Sequence, residues 1–162
     1  MPPEPPPAPA SGHPSEDETI TARLTCGETV PQILAASFEA FEFIRLLARQ
    51  CEDRDPRLFA AFMTTAAAAA DGLDALTSSD SLPGPGESGA TVNANTPLIT
   101  DDDLGSVADT LTALAAALAR QLTRAVAIAL ADGDCHACQV ARRAADEIHY
   151  LMAPDHDHAR SR

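Results

Sequence analysis

Apolar residues recur at three- and four-residue spacing along most of this chain, the pattern of helices with one buried stripe. The longest series is Leu104, Val107, Leu111, Leu114, Leu118, Ala125 and Ile128, with Gln121 as a polar residue at its edge. Thr100 ahead of it can accept a bond from a first-turn N–H. Asp101, Asp102 and Asp103 suit the positive end of the helix dipole. Gly133 after Asp132 predicts a left-handed stop, and Asp134 predicts the cap of a following helix. That helix places Cys138, Ala141, Ala145, Ile148 and Met152 on one face and stops at Pro154. Arg142–Asp146 and Arg143–Glu147 sit four apart on its flanks. So short a connection makes the two helices an antiparallel hairpin.

A second hairpin precedes it. One helix begins near Pro31 and gathers Ile33, Leu34, Phe38, Phe41, Ile44, Leu47, Ala48 and Cys51 on a broad face. Phe43 and Leu46 fall on roughly the opposite side, which predicts an apolar surface for a second chain. Asp55-Pro56 reads as the start of the next helix, an N-cap followed by proline at the first position. Leu58, Phe62, Ala66, Ala69, Leu73 and Leu76 line its face, and the five alanines from Ala66 to Ala70 allow close helix contact.

Punctuation sets the boundaries. Residues 1–28 are Pro-rich and acidic and predict a disordered arm. Residues 29–77 form the first hairpin. Residues 78–99, rich in Ser, Pro and Gly, form a flexible loop that tethers the hairpins. Residues 100–153 form the second hairpin, and 154–162 a tail. The expected fold is all-α: one domain, 29–153, built as a four-helix bundle from two antiparallel hairpins.

Composition sharpens this. Apolar residues make up 45% of the chain but aromatics only 4%, so the core is alanine and leucine and the helices must approach closely. Net charge is −13, which repels phosphate backbones and anionic lipid heads; nucleic acid and membrane are not expected partners. Arg120 and Arg124 interrupt the one stretch that approaches a membrane span. The N-terminus has neither the basic region nor the apolar core of a secretory signal, which with four cysteines suggests a reducing cytoplasm. Lysine is absent, which excludes lysine chemistry.

Chemistry converges on one tetrapeptide, Cys135-His136-Ala137-Cys138. Cysteines three apart on a helix are close enough for a disulfide or a shared metal, and the first turn favours a thiolate. The pair resembles the dithiol of the alkylhydroperoxidase D family, over Cys135, Cys138 and the surrounding helix. Arg142 stands where that family has a histidine. The resemblance implies thiol redox chemistry. A zinc site would need further ligands, of which His149 is a candidate alongside Cys26, Cys51, His156 and His158. Glu39 and Glu42 invite a di-iron reading, but the chain has no Glu-x-x-His motif.

The sequence therefore predicts a small acidic helical protein, without catalysis or cofactor, that acts through protein contacts. Its expected partner is itself, as a homodimer through Phe43 and Leu46, or another protein. The alternative is a thiol redox or zinc-binding protein using Cys135 and Cys138, with His149 as a third ligand.

Overall fold

The computed structural model describes residues 15–84 and 103–154. The fold is all-α. Its described residues form five helices: α1 (Glu16–Cys26), α2 (Val30–Cys51), α3 (Phe59–Thr77), α4 (Leu104–Ile128) and α5 (Asp132–Met152). The helix α2 touches α3 and α4, α5 touches the same two, and α1 lies on α2 and α4.

Helix α1 corrects the expectation that residues 1–28 form a structureless arm and that there are four helices. Ser15 and Glu18 form a capping box, with the Ser15 N–H donating to Glu18 Oε2 at 3.1 Å. Glu16, Asp17 and Glu18 crowd the positive end of the helix. Eleven residues are too few for a stable helix in water, so tertiary contact must hold it. Ile20 and Leu24 are buried. Arg23 pairs with Glu39 of α2 at 2.9 Å, and Arg124 of α4 donates to the Gly27 carbonyl at 2.9 Å just past the helix end. Residues 1–14 of the expected arm, Thr100, most of the 78–99 loop and the tail beyond Pro154 lie outside the described residues.

Two helix starts also differ from expectation. Asp55 caps a turn and not the helix. Its carboxylate accepts from the Arg57 N–H at 2.8 Å, its carbonyl from the Leu58 N–H at 3.0 Å, and α3 begins at Phe59. Gly133 is not a left-handed stop: α4 ends at Ile128, Ala129 and Ala131 are extended, and α5 already begins at Asp132. Asp134 therefore lies inside the first turn of α5, free to bind something other than its own helix.

Helix directions follow from cross-chain contacts. The Phe41 ring lies against Gly72, where a Cβ would sit 2.6 Å from a ring carbon. A larger residue there would have to displace the ring, so glycine suits this approach of α2 to α3. His149 Nδ1 lies 3.3 Å from the Thr112 carbonyl, which aligns α5 against α4. Ser79, just past α3, bonds to Asp134 at the start of α5. Neighbours α2–α3, α3–α5 and α5–α4 are thus antiparallel, and α3 and α4 point the same way. The end of α3 and the start of α4 lie at opposite ends of the assembly, roughly 37 Å apart for a helix of this length.

The core is aliphatic. Leu34, Ile44, Leu111, Leu118, Leu122 and Ile148 are fully buried, with Phe41 and Phe62 as its largest side chains. Helix α4 is, by length and composition, apolar enough to cross a membrane. Here it packs against α1, α2 and α5.

Candidate functional site

The start of α5 is the most polar buried corner among the described residues. Asp134 is 3% exposed. Ser79 Oγ donates to its Oδ1 at 2.5 Å, the Ser81 N–H to Oδ1 at 3.1 Å, and Ser81 Oγ to Oδ2 at 2.5 Å. Burial by itself would raise the Asp134 carboxyl. The hydrogen bonds from the Ser79 and Ser81 hydroxyls, joined by backbone N–H groups of Ser81 and Asp80, outweigh it and hold the group below the usual aspartate range. This carboxylate ties the chain leaving α3 to the first turn of α5. Neither serine stands out in the sequence, where both belong to a run that reads as loop.

Cys135 and Cys138 share that turn. Cys135 is half-buried and its sulfur accepts a weak bond from the Gln139 amide at 3.5 Å. Cys138 is fully buried in the core. Burial pushes its thiol up to about 11, reinforced by the negative charge of Asp134 and by Cys135. Burial of this kind disfavours the thiolate, which is the attacking form of cysteine. His136 is exposed. His149 is also exposed and lies eleven residues beyond Cys138 on the same helix, about 16 Å along its axis. Cys135, Cys138 and His149, the expected zinc set, are therefore not brought together. Among the described residues no cluster of three His, Cys, Asp or Glu could hold a metal ion. Cys26 is exposed at the end of α1, and Cys51 is buried, with burial pushing its thiol up against a smaller opposing effect of Arg54.

The expected interface is covered. Phe43 is 6% exposed and Leu46 half-buried. Ala36, Glu39 and Phe43 share one stripe of α2 at helical spacing, and the Arg23–Glu39 pair shows α1 lying along it. The helix α1 packs on α2 beside Glu39, one turn from Phe43.

Among the described residues, apolar surface without a partner appears instead on α3. Its inner face buries Phe62, Thr65, Ala66, Ala69, Leu73 and Leu76. Its outer face exposes Phe59 (41%), Ala60, Met63 (47%) and Ala67. Thr64, beside it, turns its hydroxyl proton back to the Ala60 carbonyl at 2.8 Å. The first charged residues within the helix are Asp71 and Asp74, both exposed, and α3 contains no basic residue at all. Elsewhere Ile128 and Leu130 are exposed together around the α4–α5 turn, and Tyr150 by itself on α5. An open groove of about 290 Å³ between α1 and α4 is lined by Asp17, Thr21, Ser106, Asp109 and Thr110 among others.

No protein-family model, no curated protein and no solved structure matches this chain.

Proposed function

We propose that helices α2 to α5 constitute a four-helix bundle of two antiparallel hairpins, braced by α1, and that this bundle is a non-catalytic interaction module working through the outer face of α3. The observation that carries the reading is the exposed run Phe59, Ala60, Met63 and Ala67, two turns of solvent-facing helix with no charge. A helix that is apolar on its outer as well as its inner side over two turns is the kind of surface that marks a protein contact. Methionine and phenylalanine supply adaptable contact area, and alanines let a second helix come close. The partner is a second copy of this chain or another protein. The acidic balance of the chain, −13, weighs against nucleic acid and anionic membrane in that role.

The test is site-specific photo-crosslinking in the full chain. A crosslinking residue at Ala67 is expected to capture another chain in native extract, whereas one at Arg143, on the charged outer side of α5, captures none. Absence of any adduct from Ala67 sinks the reading.

Thiol redox or zinc chemistry at Cys135 and Cys138 remains the rival class. It finds less support, because Cys138 is fully buried with its thiol held protonated. Brief alkylation of the native protein near pH 8 is expected to leave Cys138 unmodified. Rapid labelling of both cysteines, or recovery of a Cys135–Cys138 disulfide from anaerobically purified protein, would favour the rival.

A further inference from the structure

The outer face of α3 is apolar in the middle and oppositely charged at its two ends, and that asymmetry describes what fits it. From Phe59 through Met63 to Ala67 it is apolar; one turn later come Asp71 and Asp74. Neither carboxylate has an ion-pair partner among the described residues. At the opposite end, Arg57 stands exposed just before the helix. A ligand laid along this face meets apolar surface for two turns, negative charge at one end and a positive charge at the other.

Resting on the reading of α3 as the contact surface, we propose that its occupant is an amphipathic helix of another protein, apolar along one stripe and basic at the end that lies over Asp71 and Asp74. The apolar stripe supplies contact with Phe59 and Met63, and the alanines let the two helix axes approach closely. Basic residues at one end neutralise the two aspartates and fix which way the helix lies. A second copy of this chain fits less well. In a parallel pairing Asp71 and Asp74 meet their own copies across the interface. In an antiparallel pairing the two carboxylates of each copy approach the single Arg57 of the other, which leaves them only half neutralised. The net charge of −13 further disfavours self-association and favours a basic ligand at long range.

The experiment selects from a phage-displayed library of helical peptides, using the full chain as bait and the Met63→Glu chain for counter-selection. Circular dichroism and thermal melting establish beforehand that both are folded. The expected result is a set of peptides with apolar residues at helical spacing and Arg or Lys clustered at one end. Their binding weakens with salt, and Asp71→Arg with Asp74→Arg slows their association about tenfold. Peptides that need Met63 but carry no basic cluster, or that ignore the charge reversal, overturn the partner chemistry while leaving α3 as the contact surface. Failure to obtain any Met63-dependent peptide overturns both. A wild-type dimer in sedimentation that Met63→Glu converts to monomer assigns the face to a second copy and overturns the heterologous partner.

Discussion

Helices α3 and α5 lie side by side and antiparallel, yet they meet solvent in opposite ways. Apart from buried Asp134 and exposed Tyr150, helix α5 sorts its residues into an apolar and a polar side. Cys138, Ala141, Ala145 and Ile148 face the core, while Gln139, Arg143, Asp146 and Glu147 face water, with Arg142 and Asp146 paired at 3.2 Å. Helix α3 buries a face of similar size but turns Phe59, Met63 and Ala67 outward. The inner faces of both are explained by the core. The outer face of α5 is explained by water, and that of α3 by neither. A helix whose exposed side resembles its buried side has a surface that the chain has not finished covering. The same reasoning misplaced the surplus on α2, where Phe43 is covered within the chain.

The comparison breaks first if the inner faces are not equivalent. Phe62→Ala in α3 and Ile148→Ala in α5 remove fully buried side chains, and each is expected to cost about 2–5 kcal/mol by denaturant titration. A small loss from Phe62→Ala alone would mean that α3 is only loosely docked.

The next effect concerns the joint between the two helices. Asp134→Ala leaves the Ser79 and Ser81 hydroxyls without their acceptor, at an expected cost of about 1–3 kcal/mol. The pH dependence has a definite sign. The carboxyl is depressed in the folded chain, so its contribution is fully present above the ordinary aspartate value of about 3.9 and is lost as pH falls through the lower folded value. Wild type should therefore lose more stability on acidification than Asp134→Asn. Equal acid profiles would show that Asp134 does not tie α3 to α5.

Gly72→Ala tests how closely α3 approaches α2. The new methyl would enter the space of the Phe41 ring. Helix propensity favours alanine by about 1 kcal/mol, and overpacking opposes it by about 1–3. A net loss of melting temperature is expected; a gain would mean that the ring moves aside without cost.

The smallest effect is the most telling for function. Met63→Glu changes an exposed residue and is expected to shift stability by no more than about 0.5 kcal/mol. A melting temperature well below that of wild type would show that Met63 is already covered within the chain, and the contrast between α3 and α5 would vanish.

Periodicity alone determined much of this protein. The stripe from Leu104 lies where expected as far as Ala125, with Ile128 at its end exposed, and that from Cys138 to Met152 throughout, because strongly amphipathic helices write their buried face into their spacing. The first helix was legible too. Ser15-Glu16-Asp17-Glu18 followed by Ile20 and Leu24 is a capping box ahead of two residues one turn apart, but the prolines before it drew the eye to an extended arm. Other features could not be read from local pattern. Whether Phe43 faces water depends on the helices packed around α2, among them α1, which Arg23 and Glu39 hold against it. The role of Asp134 depends on Ser79 and Ser81, more than fifty residues away. Cys138 looks reactive beside Cys135 in sequence, but its burial depends on helices that pack over it from elsewhere in the chain. Spacing along a helix fixes which residues share a side. Which sides meet, and which are left to water, is set by long-range packing, and in α3 that packing leaves an apolar side outermost.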